Sequence, residues 1–271
     1  MNQMLVLDEI RSIQNNILKQ FDLYCQKKGF SYCLWAGTLL GAIRHKGHIP
    51  WDDDVDIVMP REDYEKMLSD YANAPIEGVR LVSFQNTSTY YYPFAKLSDT
   101  NTEMKEENII KQDYGVYVDI FPLDVLPLHH GKAKKVIKQC RLAFYLLFLR
   151  LQEKNKWDDS RAFINNVILK PISKLIPKKK FSMYIEQKIK NYEHEASKNL
   201  TVLTHSSLAK QGVEEKDVFP PVKTAFESMQ LNVPNNYDRV LKILYGDYMI
   251  PPPVECQVAK HNTKGWRKEN K

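Results

Sequence analysis

One stretch of this chain constrains its fold more than any other: Trp51-Asp52-Asp53-Asp54-Val55-Asp56-Ile57, which runs on through Val58 and Met59 to Pro60. Acidic and apolar residues alternate from Asp54 onward, and in a β-strand residues two apart share a face. The pattern predicts a short strand, Asp54 to Met59, that turns Asp54 and Asp56 outward together and Val55 and Ile57 into a core. Pro60 ends it. Two carboxylates side by side repel and push one pKa up, so the arrangement makes most sense around a hard cation. Magnesium, or manganese in its place, suits such a pair, because it takes a few carboxylate oxygens and completes its octahedron with water and substrate phosphates.

A calcium loop is the competing reading, since Asp52, Asp54, Asp56 and Asp63 fall at positions one, three, five and twelve of such a loop. It fails at position six, where the required Gly is Ile57, at Pro60 within the loop, and at position twelve, which needs a bidentate Glu. An acidic loop that merely faces solvent is the plainer alternative. A metal site for phosphate chemistry commonly draws a further carboxylate from a neighbouring strand. Tyr117-Val118-Asp119-Ile120-Phe121 offers one, because Asp119 interrupts an apolar run in which an unpaired carboxylate would be costly. The alternative for Asp119 is a partner to some buried Arg. Asp124, in Pro122-Leu123-Asp124, reads as a residue that caps or orients a turn.

The flanks predict a mixed architecture. Ile10, Ile13, Ile17, Phe21 and Tyr24 recur at three- and four-residue steps, which marks an amphipathic helix from Leu5 to Lys28 ended by Gly29. Phe30 to Ala36 reads as a strand. Gly37-Thr38 then opens a helix through Leu39, Leu40 and Ile43, whose first N–H groups, with the Thr38 hydroxyl, could receive a phosphate. Arg44, His45, Lys46 and His48 follow and could neutralise phosphate charge; Arg44 is preferred for its bidentate geometry. Arg61 to Tyr71 reads as a helix, and Val79 to Phe84, Tyr90 to Leu97 and Val116 to Phe121 as strands. Lys96 places a cation within the second of these, either near the site or on an ordinary surface. From Lys132 the pattern turns helical, with breaks at Pro171, Pro177 and Pro220-Pro221 and a late helix from Tyr237 to Tyr245 stopped by Gly246. The expected division is an α/β catalytic core, residues 1–130, and a mainly helical region, residues 131–271, that completes the site.

A chain of 271 residues with 43% hydrophobic content buries a sizeable core, which excludes a disordered or fibrous class. The net charge of +6 gathers in clusters such as Lys132-Ala133-Lys134-Lys135 and Lys178-Lys179-Lys180. These read as solvated surface or as attraction toward an anionic partner; their scatter, with no recognition motif, speaks against nucleic acid. Cys25, Cys33, Cys140 and Cys256 lack pairing or metal-ligand spacing and read as reduced core thiols. Met1 to Glu9 has neither the basic start nor the apolar run of a signal peptide, so a cytoplasmic location is expected. Leu142 to Leu149, bracketed by Arg141 and Arg150, falls short of the roughly 20 residues of a membrane span. It predicts a buried helix or one lying on a membrane surface, where the Lys clusters would meet anionic lipid.

Trp35-Ala36-Gly37-Thr38-Leu39-Leu40-Gly41-Ala42-Ile43-Arg44, followed by Ile49-Pro50-Trp51-Asp52-Asp53-Asp54-Val55-Asp56, resembles the signature of the LicD family, which also takes in fukutin-type proteins. Phe94 to Leu97, Asp119 to Asp124, Val233 to Tyr237 and Tyr245-Gly246-Asp247-Tyr248 extend the resemblance over nearly the whole chain. It implies a nucleotidyltransferase-like fold and transfer of a phosphoalkyl group, often phosphocholine from CDP-choline, onto a cell-surface glycan such as teichoic acid, capsule or lipopolysaccharide. Fukutin-type relatives transfer ribitol phosphate from CDP-ribitol. By the same resemblance Gly37 and Thr38 correspond to the fold's Gly-Ser turn, Asp54, Asp56 and Asp119 to its metal-binding carboxylates, and Asp52 to a further family acid. An acceptor hydroxyl would attack the phosphorus distal to the cytidine and CMP would leave, with Asp119 or Asp52 taking the proton.

A nucleotidyltransferase proper is the rival within enzymes, since the same acids would serve it. A catalytically silent glycan-binding or scaffold protein is the rival from another class, against which the intact acidic set speaks. Choline would call for an aromatic cage. The 15 Tyr and 4 Trp, with Tyr90-Tyr91-Tyr92 among them, give material for one, while glycerol, ribitol and ethanolamine stay open.

Overall fold

A computed structural model describes residues 3–153, 164–192, 195–208, 212–259 and 263–269. The first helix, α1 (Leu7–Lys28), buries the stripe Ile10, Gln14, Ile17, Leu18, Phe21, Tyr24 and Cys25 and ends where Gly29 turns left-handed at φ 70°. β1 (Cys33–Leu34), α2 (Ala36–Arg44), β2 (Asp56–Pro60), α3 (Arg61–Asp70), β3 (Val79–Val82), β4 (Ala95–Asp99), β5 (Thr102–Glu106) and β6 (Tyr117–Val125) follow. Next come α4 (His130–Leu151), a π-helical turn (Asn165–Leu169) leading directly into α5 (Lys170–Lys174), and α6 (Lys178–Lys190). The remainder is β7 (Asn199–Thr201), β8 (Val213–Glu214), α7 (Glu215–Val218), β9 (Val222–Phe226), β10 (Met229–Val233), α8 (Tyr237–Tyr245), a short 3-10 turn (Val254–Cys256) and β11 (Thr263–Arg267).

Seven strands make one mixed sheet in the order β1-β2-β6-β4-β3, with β7 against the end of β6 and β8 beyond β7. β2 and β6 run parallel, and the other pairs are antiparallel. β9 and β10 form a hairpin, and β11 returns to pair with β5. The fold class is thus mixed, α+β, as the sequence predicts. β6 is its axis: eight of its nine residues are buried, as expected of a strand covered on both faces.

Several expectations need correction. The strand predicted to end at Phe121 runs through Pro122 to Val125. Asp119 N–H donates toward β2, to the Val55 carbonyl at 2.8 Å, so by alternation the nitrogen of Pro122 faces the other side. There β4 stops pairing at Ile120 and β7 begins at Asp124, so the missing N–H interrupts no ladder. Asp124 accordingly sits in a strand and not in a turn. β4 begins at Ala95, and Tyr90 to Phe94 precede it as packed loop. Pro171 ends no helix, because the π-helical turn before it runs straight into α5 with Leu169 in helical conformation, and a wider turn of that kind accommodates a residue with no N–H to donate. The second half is less helical than expected, since β7 to β11 all lie in it.

The apolar run predicted as a buried or surface-lying helix lies within α4, which buries Ala143, Phe144, Leu147 and Leu149. Among the described residues no helix is long and apolar enough to cross a membrane. Lys132, Lys134 and Lys135 are exposed on α4. The second cluster is partly engaged: Lys179 Nζ donates to the carbonyls of Phe84 and Thr87 at 2.7 and 3.1 Å, and Lys178 lies over the Tyr91 ring. Cys25, Cys33 and Cys140 are buried free thiols, whereas Cys256 is exposed, against the expectation of a core thiol.

Candidate active site

The strand predicted from Asp54 to Met59 starts only at Asp56 and takes in Pro60, so Asp54 precedes it; side-chain exposure still alternates, with Asp54 and Asp56 half-buried and Val55 and Ile57 buried completely. Asp56 and Asp119 are register partners on the parallel pair β2 and β6, their Cα atoms about 4.8 Å apart. On the other side of β6, Lys96 of β4 is the partner of Asp119. Its Nζ donates to Asp119 Oδ1 at 2.7 Å and stands 3.3 Å from the centre of the Tyr117 ring. Lys96 is only 2% exposed, so it is no surface residue. Its charge is held inside the sheet by Asp119.

Burial pushes the Asp56 carboxyl well above the ordinary carboxylate range, and Asp54, Asp119 and Asp52 push it further while Lys96 pulls it back. Asp119 is pushed up to about 6, mainly by burial, with Lys96 opposing and Asp54 and Glu106 adding to the rise. The other three acids named from the sequence thus all act on Asp56, and Asp54 acts on Asp119 as well, with the buried Lys96 opposing both. Among the described residues no three His, Cys, Asp or Glu side chains are gathered closely enough to ligate one ion as they stand. An open, all-oxygen set is nevertheless the chemistry that fits Mg²⁺, which binds through one or two carboxylates and leaves other positions to phosphate and water.

The start of α2 is tied to this strand. Trp35 N–H donates to the Asp56 carbonyl and Asp56 N–H donates to Thr38 Oγ1, both at 2.9 Å. The Thr38 hydroxyl oxygen thus positions Asp56. Ala36 adopts φ 46°, left-handed and strained for a residue with a Cβ, where the chain turns into the helix. The N-cap residue Trp35 makes no side-chain cap, and the first turn of α2 lies against the acidic region. A Cβ at Gly37 would stand 2.5 Å from Asp52 Oδ2. Gly37→Ala is therefore expected to displace the Asp52 carboxylate and reduce turnover by at least about tenfold. Its stability should change by less than about 1 kcal/mol, because the obstructing atom is the end of a flexible side chain. Steady-state rates beside urea unfolding check both halves.

The basic flank is less charged than the sequence suggests. His45 is held below its ordinary value by burial and by Arg44. His48 is lowered to about 4, by burial first and then by Arg11, against Glu227. Its Nε2 lies 2.9 Å from Asn15 Oδ1 and its ring packs on the edge of Phe226. Arg44 Nη1 donates to the Tyr248 carbonyl at 2.8 Å. A base whose folded pKa lies below its unfolded value costs stability as pH falls through the gap between them. Acid unfolding curves should thus show about 2–3 kcal/mol lost between pH 6.5 and 4 that His48→Gln removes; identical slopes in both proteins would refute this.

Beside the acids lies a cavity of about 420 Å³, lined by Gly37, Arg44, Trp51 and Asp52 from the first half and by Tyr245, Asp247 and Tyr248 from the end of α8 and beyond. The Tyr245 phenol is pushed up by burial and then by Asp56, Asp52 and Asp54, so it too stands within reach of the acids. Tyr90 and Tyr92 do not line this cavity. They are buried and stack in an aromatic core with Phe94, Tyr114 and Phe144. The roles of Trp51, Tyr245 and Tyr248 went unassigned in the sequence, where Tyr245-Gly246-Asp247-Tyr248 was only a matching tail. The left-handed Gly246, at φ 72°, is the one local signal that the chain turns there. Asp124 lies apart from the acids, paired with Arg61.

The description "LicD/FKTN/FKRP, nucleotidyltransferase domain" matches residues 29–139, which include all four acids, Gly37, Thr38, Arg44 and Lys96. Over 261 residues, 95% of this chain and 96% of the relative, the sequence is 30% identical to the lipopolysaccharide cholinephosphotransferase LicD of Haemophilus influenzae. The chain belongs to the LicD family. Its likeness to the Haemophilus LicD protein reaches past α4 into the region that carries α8. Two shorter matches, each 54% identical over 37 residues and 14% of this chain, are to uncharacterized proteins of Rickettsia prowazekii and Rickettsia typhi.

Proposed function

We propose that this LicD-family chain transfers phosphocholine from CDP-choline to a hydroxyl of a cell-surface glycan of the lipopolysaccharide kind. The observation that carries the reading is the convergence of Asp52, Asp54, Asp56 and Asp119 beside the start of α2. Support for the transferred group comes from the Haemophilus relative, whose name is that of a lipopolysaccharide cholinephosphotransferase. Mg²⁺ would be held by Asp54, Asp56 and Asp119, and when bound it would supply positive charge to neutralise the donor's pyrophosphate. The N–H groups at Gly37 and Thr38 and the Arg44 guanidinium would orient phosphate oxygens.

The acceptor oxygen attacks the phosphorus distal to the cytidine, the bond from that phosphorus to the CMP oxygen breaks, and CMP leaves with the electron pair. Asp52 is the favoured base for the hydroxyl proton, since Asp119 Oδ1 is already held by Lys96. On this reading residues 1–130 provide the acids and residues 131–271 complete the site through Tyr245 and Tyr248. The chain would work in the cytoplasm, where the exposed Lys132, Lys134 and Lys135 could meet anionic lipid at the inner face of the membrane.

The test offers CDP-choline, CDP-ethanolamine, CDP-glycerol and CDP-ribitol in turn, with Mg²⁺ and a lipopolysaccharide acceptor. CMP release with CDP-choline, a phosphocholine-labelled acceptor and loss of turnover in chelator are expected. Pyrophosphate release with a nucleotide-tagged acceptor would instead identify a nucleotidyltransferase, and no reaction with any donor would favour a silent glycan-binding protein.

A further inference from the structure

We propose that Trp51, Tyr245 and Tyr248 form the seat of the donor's quaternary ammonium, so that the cavity beside the acids selects a choline-bearing donor; this rests on the phosphocholine reading above. Position is the first argument. Gly37 and Asp52 belong both to the acidic region and to the cavity wall, and the Tyr245 phenol feels Asp56, Asp52 and Asp54. The phosphorus under attack carries the choline through a two-carbon arm. A headgroup whose phosphate lies at the acids must therefore project into adjoining space, and this cavity adjoins them.

Chemistry is the second argument. A trimethylammonium group has no N–H to donate, so it is recognised by aromatic faces and by carboxylates that need not hydrogen-bond it. The wall provides three aromatic residues, with Asp52 and Asp247 as its carboxylates. Its remaining residues are apolar or small apart from Arg44, whose Nη1 is directed to the Tyr248 carbonyl. A polyol would draw on Asp52, Asp247 and the Tyr245 hydroxyl alone, since the wall has no Asn, Gln, Ser or Thr and the Tyr248 hydroxyl already donates to Asp238 at 2.9 Å; it would leave the three aromatic faces, the wall's distinguishing feature, unused. The Tyr90-Tyr91-Tyr92 run cannot serve in its place, because Tyr90 and Tyr92 are packed into the core.

The experiment compares KM for CDP-choline with the inhibition constant for CMP in Trp51→Leu, Tyr245→Leu and Asp247→Asn, beside the ring-preserving Trp51→Phe and Tyr245→Phe. Each Leu variant should raise KM for CDP-choline about tenfold, the size of a partly desolvated cation–π contact. Phe should restore KM to within about threefold, Asp247→Asn should raise it severalfold, and CMP inhibition should stay at the wild-type value throughout. Tyr245 is 43% exposed and Asp247 lies at the surface, so these two positions report even where Trp51→Leu disturbs folding.

Leu variants with wild-type KM would overturn the proposal. So would a parallel loss of CMP affinity, which would make the cavity a seat for the cytosine base. A wild-type protein inert toward CDP-choline but active on another CDP-linked donor would refute the phosphocholine reading itself, a result distinguishable from indifferent variants of an active enzyme.

Discussion

Asp56→Asn is expected to reduce turnover by about 10²–10³-fold or more while raising the thermal midpoint of the metal-free protein. The two effects have one cause. Asp56 is half-buried, its carboxyl is opposed by burial and by Asp54, Asp119 and Asp52, and Lys96 supplies the opposing charge. In the folded state the carboxyl therefore favours its proton more than in the unfolded chain. For an acid with a raised folded pKa, stability is fully present below the unfolded value, 3.8, and is lost as pH rises through the folded value. Asn mimics the protonated form in shape and charge. The gain should thus be largest near neutral pH and vanish near pH 3, where Asp56 is protonated in both states.

Mg²⁺ should act in the opposite direction. It should raise the midpoint of the wild-type protein by binding the folded state alone, and raise that of Asp56→Asn much less. Midpoints measured at pH 7 and pH 4, with Mg²⁺ and with chelator, separate these terms. Full turnover in Asp56→Asn, or an unchanged Mg²⁺ shift, would falsify the assignment of this carboxylate.

How far the sequence reveals this site depends on how local each signal is. Asp54 and Asp56 were legible because a two-residue period is a local property, and α1 and α8 were legible because Gly29 and Gly246 mark their ends. Lys96 was ambiguous because its place depends on strand register. Only the alignment of β4 with β6 puts it opposite Asp119 and makes a buried lysine tolerable. β5 and β11 were missed because each finds its partner about 160 residues away, and Thr102-Glu103-Met104-Lys105-Glu106 alone looks like a polar loop. Trp51 and Tyr245 come together only when the end of α8 docks near α2, a packing event that no single segment encodes.

Arg61→Met is expected to destabilise the protein by about 3–5 kcal/mol while leaving its chemistry nearly intact. Arg61, the first residue of α3, donates through Nε to Asp124 Oδ1 at 2.7 Å and through Nη1 to Glu186 Oε2 at 3.1 Å. The contact joins α3, β6 and α6. Asp124 is 0% exposed and Glu186 13%, so truncating Arg61 would leave two carboxylates inside with little counter-charge beyond the Lys190 that acts on Glu186. Burial already pushes Asp124 up to about 7 against the pull of Arg61, and without that pull it would rise further. By the sign rule for a raised acid, the variant's deficit should grow as pH rises and shrink toward pH 5.

Adding Asp124→Asn and Glu186→Gln to Arg61→Met should recover much of the loss, since neutral amides tolerate burial far better than unpaired carboxylates. The three positions lie toward the far end of β2 and β6 from Asp56 and Asp119. Turnover per folded molecule at low temperature should therefore remain within about threefold of wild type, as expected for sites that share no partners. Urea unfolding at pH 5 and pH 8 measures the deficit. A loss below about 1 kcal/mol at both values would mean that water reaches these acids and that the three-way contact is not what holds α3 and α6 to the sheet.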